Sequence, residues 1–147
     1  MTLRKFNRLY MNPMNSTKIS AEFVRHLNAK LRAMTESMLA GNKLAVARFY
    51  SDHALLTDLK DFRVEGREAI DQHWTQLPTY RSWQLNALET GGDAETPFQR
   101  LHSLARMEIK GREYIDEGYC FVVWKRQADG DYQIHVDIYH PLKFEAQ

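Results

Sequence analysis

Three side chains that can exchange protons or donate hydrogen bonds alternate near the end of the sequence: His135, Asp137 and Tyr139. Isoleucine and valine fill the positions between them. Successive side chains of a β-strand point to opposite faces, so this alternation predicts one polar and one apolar face. If the polar face borders a cavity, His135 and Asp137 form an acid/base pair. If it borders solvent or an interface, they belong to a surface ladder.

Two further uses of these side chains follow from their types and spacing. His102, in an earlier predicted strand, can join the same site, although a single strand histidine is more often structural or exposed. His135 and Asp137 also share the two-residue spacing that a metal site on a strand can use. His140 falls on the opposite face by strict alternation, and no His-x-x-His motif or cysteine pair supports a metal site. We therefore expect neither a metal ion nor a cofactor.

Composition narrows the class of protein. The 147 residues, 44% hydrophobic and 27% charged, are typical of a single globular domain. A net charge of +1 without a basic stripe predicts no binding to nucleic acid or to a membrane. The single Cys120 cannot form an internal disulfide. No apolar run is long enough for a membrane span or a secretion signal. We therefore expect a cytoplasmic protein. Residues 1–16 are predicted to form a flexible basic tail, and 17–147 a single domain.

Periodicity predicts three helices followed by strands. Apolar residues recur every three or four positions over 17–39, Gly41 ends that helix, and a short second helix runs from Asn42 to about Tyr50. A third helix covers 67–76 and stops at Pro78. The predicted strands are 54–57, 82–89, 98–109, 112–127 and 132–139. Helices on one face of an antiparallel meander make an α+β fold.

One predicted strand is apolar on both of its faces over residues 119–124. An antiparallel sheet usually leaves one face in water, so a second covering layer is needed. A second copy of the chain supplies that layer most simply, and we expect a homodimer. The alternative is a strand buried inside a tightly curled monomeric sheet.

Two motifs carry a resemblance to a known family. Residues 39–54 read LAGNKLAVARFYSDHA, and residues 64–70 read VEGREAI. Their order and spacing, with the meander that follows, resemble the nuclear transport factor 2-like superfamily, which includes SnoaL-like and ketosteroid-isomerase-like proteins. The resemblance implies a cone-shaped, cystatin-like α+β fold, in which three N-terminal helices pack on a strongly curved antiparallel sheet and enclose a pocket.

The resemblance also points to a catalytic residue. Asp58 follows Ala54 by four positions, as the proton-shuttling aspartate of ketosteroid isomerases follows its alanine. Desolvation at the mouth of an apolar pocket would raise the pKa of such a carboxylate toward the range of a general base. The alternative is a polar turn that Asp58 caps. Met34 and Cys120 occupy the positions of the family's two oxyanion donors, so the ketosteroid isomerase mechanism is not expected.

Two functions stay open at this point. The first is a cofactor-independent enzyme of isomerase, dehydratase, cyclase or hydrolase type that uses Asp58, with His135 and Asp137 as further acid/base candidates. The second is a non-catalytic ligand-binding or dimerisation module. The resemblance implies a small hydrophobic, polyketide-like or steroid-like ligand in either case. The side chains predicted to border it are Met34, Tyr50, Trp74, Trp83, His102 and Cys120.

Overall fold

The computed structural model describes residues 19–147, so the predicted tail at 1–16 lies outside the described residues. Helix α1, Ala21–Leu39, begins after Ser20, whose hydroxyl accepts a hydrogen bond from the backbone N–H of Phe23 at 3.1 Å. It ends before Gly41, which has a φ of 81°. Its buried face has the predicted spacing, with Leu27, Leu31, Met34 and Met38.

Two shorter helices and six strands complete the chain. The helices are α2, Lys43–Ala47, and α3, Arg67–Gln76. The strands are β1, Tyr50–Thr57; β2, Arg63–Glu65; β3, Tyr80–Gly91; β4, Phe98–Ile109; β5, Arg112–Arg126; and β6, Tyr132–Ala146. They form one sheet in the order β2-β1-β6-β5-β4-β3. The prediction missed β2, which pairs with β1 across the charged loop at 58–61.

The sheet is mixed, which corrects the prediction of a purely antiparallel sheet. Strands β3 to β6 form the predicted antiparallel meander, but β1 pairs with β6 in parallel. The two strands are neighbours in the sheet and far apart in sequence, so no hairpin turn forces them to run in opposite directions. Among the described residues, no helix has the length and apolar character needed to cross a membrane.

A β-bulge in β6 decides which side chains of that strand face inward. Ile134 lies opposite Trp124 in β5, whereas the preceding β5 residue, Val123, lies opposite Val136. The extra residue at His135 shifts the alternation, so that Ile134 and Asp137 point to the same face although they are three positions apart. The strict alternation predicted for this strand was therefore wrong.

Buried polar contacts fix the helices on the sheet. The indole N–H of Trp124 donates to Gln99 Oε1 at 3.0 Å, and Gln99 Nε2 donates to Asn28 Oδ1 of α1 at 2.9 Å. The Arg67 guanidinium at the start of α3 donates to the carbonyl oxygens of Ala47 and Tyr50. These bonds satisfy groups that would be costly to bury alone and orient α1 and α3 over the inner face of the sheet.

Candidate functional site

A cavity of about 300 Å³ lies between the helices and the inner face of the sheet. Its lining is mainly apolar and aromatic, as expected of a small-molecule site. Asp58, Phe62 and Pro141 line the cavity and also keep contact with solvent, so they mark its opening. The polar groups lie among apolar ones, and the strands β5 and β6 supply two of the three carboxyl groups, Asp116 and Asp137.

Asp137 is the most deeply buried acid of the cavity, with 7% of its surface exposed. The Tyr50 hydroxyl donates to Asp137 Oδ2 at 2.7 Å, whereas Oδ1 is buried without a partner. Burial raises the pKa of Asp137 to about 6, against the opposing effect of the Tyr50 hydrogen bond. Burial and the neighbouring Asp137 raise the pKa of Tyr50 well above its ordinary value, so Tyr50 remains a hydrogen-bond donor.

A second carboxyl–phenol pair lies further along the sheet. The Tyr139 hydroxyl donates to Asp116 Oδ1 at 2.5 Å, and both residues are half-buried. Burial raises the pKa of Asp116, partly offset by the hydrogen bond from Tyr139. Cys120 lies opposite Tyr139 in the sheet, and burial raises the pKa of its thiol well above the ordinary value. The Cys120 thiol is therefore uncharged and lines the cavity between the two carboxyl–phenol pairs, and it is not a thiolate nucleophile.

Aromatic rings form one wall of the cavity. Trp74 of α3 and Trp83 of β3 lie 5.6 Å apart between ring centroids, and the Tyr80 ring meets Trp83 edge to face at 5.4 Å. The indole N–H of Trp83 donates to Ser103 Oγ at 3.1 Å. The indole N–H of Trp74 is buried without a partner. The cavity thus contains one unpaired donor, on Trp74, and one unpaired acceptor, on Asp137.

Asp58 lines the opening, but its environment is not the one predicted. Its Oδ1 accepts hydrogen bonds from the backbone N–H groups of Lys60 at 2.8 Å and Phe62 at 3.1 Å. The hydrogen bond from Lys60 is the main reason that the pKa of Asp58 is lowered. The expectation of a raised pKa was wrong, because backbone donors in the turn stabilise the charged form.

The two predicted histidines do not line the cavity. The bulge turns His135 to the outer face, where Nδ1 lies 2.8 Å from the Ser51 hydroxyl, and burial there lowers its pKa. His135 and Asp137 consequently do not meet as an acid/base pair. His102 lies on the same outer face, with Nε2 2.9 Å from Glu117 Oε2. The remaining predicted ligand-binding side chains all line the cavity: Met34, Tyr50, Trp74, Trp83 and Cys120.

Sequence reasoning missed Asp116, Tyr80 and His73, and assigned Tyr139 no cavity role of its own, although all four line the cavity. A signal for Asp116 exists, because it is the single charged residue on its face of β5 between Tyr114 and Trp124. Burial lowers the pKa of His73, which keeps its imidazole neutral at neutral pH. Within residues 19–147, no three His, Cys, Asp or Glu side chains are grouped so that they could hold a metal ion.

Comparison with known proteins identifies the fold. Neither a protein-family model nor a curated protein matches the sequence. Among solved structures, a nuclear transport factor 2-like protein with a cystatin-like fold from Novosphingobium aromaticivorans aligns over 83% of each chain, with a TM-score of 0.69 and 12% identity. A ketosteroid isomerase-like protein from Erwinia carotovora atroseptica aligns over 84% of this chain and 99% of its own, with a TM-score of 0.71 and 13% identity.

A third similar structure is a putative scytalone dehydratase from Novosphingobium aromaticivorans, with a TM-score of 0.68 and 12% identity over 84% of this chain and 87% of the other. Together these structures confirm the predicted fold: the chain has the cystatin-like fold of nuclear transport factor 2-like proteins. At such identities the likeness concerns the fold, and the chemistry must be argued from the site.

Proposed function

We propose that this protein binds a small, largely apolar molecule in the cavity and catalyses a proton transfer on it, with Asp137 as the general base. The observation that carries this proposal is the unpaired Oδ1 of a buried carboxyl that lines an apolar cavity. A pKa of about 6 leaves Asp137 mostly ionised at neutral pH, yet a stronger base than an ordinary aspartate.

Two neighbours of Asp137, Tyr50 and Trp74, have supporting roles in the proposed proton transfer. Tyr50 holds Oδ2 and thereby directs Oδ1 at the ligand. The unpaired indole N–H of Trp74 donates to an oxygen of the ligand, where negative charge develops as Asp137 removes a proton from a nearby carbon. Asp137 then returns the proton to another position or to a leaving hydroxyl. Isomerisation and dehydration both follow this scheme, and the names of two similar structures support this class.

Asp58 has a different part in this proposal from the one predicted. Its lowered pKa makes it a weak base, and its Oδ1 is committed to the turn between β1 and β2. We assign Asp58 to the structure of the cavity opening, and the acid/base chemistry to Asp137.

Binding without turnover is the second candidate function. Met34 and Cys120, which donate no strong hydrogen bond, line the cavity where related isomerases are expected to have oxyanion donors. In that case the cavity stores or delivers a ligand, and Asp137 orients it.

Deuterium exchange distinguishes the two functions. The protein is incubated in deuterium oxide with a panel of bicyclic ketones and unsaturated ketones, and NMR follows incorporation at the carbon next to the carbonyl. We expect exchange above the buffer rate with the wild type and its loss in Asp137→Asn. Saturable binding of these probes without any exchange supports the non-catalytic function and contradicts the catalytic one.

We also propose that two copies associate through the outer face of the sheet. Tyr119 and Phe121 are 40% and 38% exposed there, and Phe121 stacks on Phe98 with 5.3 Å between ring centroids. Large aromatic side chains grouped in this way are typical of an interface. Light scattering after gel filtration should give twice the mass of 17.3 kDa, and Phe121→Lys should give the monomer mass. A monomeric wild type contradicts this assembly.

A further inference from the structure

The charges around the cavity are of one sign. Three carboxyl groups line it, on Asp58, Asp116 and Asp137, and its lining within residues 19–147 contains no lysine or arginine. The imidazole of His73, the remaining basic side chain of the lining, is kept neutral by burial. A ligand with a carboxylate or phosphate would add a negative charge to this environment without any cation to balance it. A positively charged ligand would instead compensate the acids.

Asp116 is placed to receive such a charge. The Tyr139 hydroxyl holds Oδ1, and among the described residues no cationic side chain lies within ion-pair distance of either carboxylate oxygen. Burial, and after it the nearby charge of Asp116, raises the pKa of the Tyr80 phenol, so Tyr80 lies close to Asp116. An ammonium group beside Asp116 would therefore meet a carboxylate and, next to it, the phenol groups of Tyr139 and Tyr80, whose oxygens can accept hydrogen bonds.

Two buried polar atoms without partners also indicate a ligand in this cavity, and this observation does not depend on the number of acids. Asp137 Oδ1 and Trp74 Nε1 are both buried and unpaired, and both residues line the cavity. Buried polar groups of this kind are rarely left without partners, so a molecule that fills the cavity is expected to supply them. The rings of Trp74 and Trp83, tilted by 32° and 5.6 Å apart between centroids, give the cavity an aromatic lining that suits an aromatic or conjugated body.

We propose that the ligand of this cavity is an organic amine, whose ammonium group pairs with Asp116 beside Tyr139 and Tyr80 while its flat apolar body lies along Trp74 and Trp83. This inference rests on the proposed function and names the chemical class of its substrate. Asp116 and Asp137 lie on different strands, and each is held by its own tyrosine, Tyr139 and Tyr50. An ammonium at Asp116 therefore leaves Asp137 free to move a proton elsewhere on the ligand.

Three probes of matched shape test the charge preference: 2-phenylethylamine, 2-phenylethanol and phenylacetate, titrated into the protein by calorimetry at pH 7.5. We expect the amine to bind at least tenfold more tightly than the alcohol, and phenylacetate to bind most weakly. Asp116→Asn retains an oxygen for the Tyr139 hydrogen bond and removes the charge. It should weaken amine binding at least tenfold and change alcohol binding less than twofold.

Two further variants separate this effect from a general loss of charge or fold. Glu68→Gln removes a carboxylate from an exposed position of α3 outside the cavity and should leave all three affinities unchanged. Tyr139→Phe removes the bond that orients Asp116 and should weaken amine binding severalfold at unchanged alcohol binding, which provides a test if Asp116→Asn folds poorly.

The outcomes distinguish this inference from the proposed function. Alcohol binding equal to amine binding, or amine binding unaffected by Asp116→Asn, overturns the amine class and leaves the small-molecule cavity standing. Failure of the amine to bind, while the protein remains folded, overturns the amine class, and the proposed function is then decided by the exchange experiment with the ketones. Tight amine binding that depends on Asp116 supports the inference even if no proton transfer is found.

Discussion

The opening of the cavity and its interior each contain an aspartate, and the two behave oppositely. Asp58 at the opening accepts two backbone hydrogen bonds, and its pKa is lowered. Asp137 in the interior accepts one hydrogen bond, from Tyr50, keeps one oxygen unpaired, and has a pKa of about 6. An aspartate is thus a stable anion at the opening and a stronger base in the interior, because solvent access and the number of hydrogen-bond donors differ.

This comparison shows why position in a motif does not by itself identify a catalytic acid. Asp58 has the sequence offset of an isomerase aspartate, but its turn supplies the backbone N–H groups that make it a weak base. Asp137 has no such turn, because it lies in the middle of a strand whose backbone groups bond to the neighbouring strands. The functional distinction arises from hydrogen-bond supply rather than from the acidic residue itself.

The largest expected difference between the two acids is in catalysis. Asp137→Asn should reduce the rate of deuterium exchange by a factor of about 10²–10⁴, the usual contribution of a general base. Asp58→Asn should leave the rate within a fewfold of the wild type. NMR exchange rates measured for both variants on the same ketone check this directly. A larger loss in Asp58→Asn than in Asp137→Asn would reverse the assignment.

A smaller but still clear difference is expected in stability. A carboxyl with a pKa of about 6 in the folded chain and about 3.9 in the unfolded chain binds more protons when folded, so the free energy of unfolding falls as pH rises between these values. The ionised group then costs the folded state about 3 kcal/mol at neutral pH. Asp137→Asn should therefore stabilise the protein at pH 7 by up to about 3 kcal/mol, and this gain should vanish near pH 4.

Asp58→Asn is the matched control for that experiment. The pKa of Asp58 is lowered in the folded chain, so its contribution to stability is present above the unfolded pKa and is lost as pH falls through the folded value. The variant should be slightly less stable than the wild type at pH 7, with a sign opposite to that of Asp137→Asn. Urea unfolding of the three proteins from pH 4 to 7.5 gives both signs, and equal signs would contradict the contrast.

The smallest expected effect concerns the hydrogen bond between Tyr50 and Asp137. Tyr50→Phe removes a donor that stabilises the carboxylate, so the pKa of Asp137 should rise further. The acidic limb of the pH–rate profile should move to higher pH, and the maximal rate should change much less. A profile that does not move would show that Tyr50 has no influence on the base. Ser103→Ala, which removes the partner of the Trp83 indole, is a control for disturbance of the cavity wall.

Much of the fold could be predicted from the sequence, because periodicity and the turn residues report directly on local structure. The helices and the four-stranded meander follow from such patterns, and the fold of the similar structures agrees. The parallel pairing of β1 with β6 could not be predicted in this way, since it joins segments that no local turn connects. The cytoplasmic location and the homodimer stay predictions.

The candidate site was less predictable, for reasons seen in particular residues. The bulge at His135 reverses the alternation of β6, and nothing in the local sequence announces it. Asp137 became a candidate because it alternates with His135 and Tyr139 in the sequence. The bulge breaks that alternation, and Asp137 lines the cavity because the bulge puts it on the same face as Ile134. The direction of the Asp58 pKa depends on backbone N–H groups whose orientation only the folded turn defines.

The most direct test of Asp137 as a buried base is the titration of its carboxyl group. Carbon-13 NMR of protein labelled at aspartate carboxyl carbons, with Asp137→Asn used to assign the signal, follows its chemical shift from pH 3 to 8. We expect a midpoint near 6 for Asp137, well above that of Asp58 in the same spectra. A midpoint at or below about 4 would mean an ordinary solvated carboxylate. That result would contradict the buried base on which the proposed function depends.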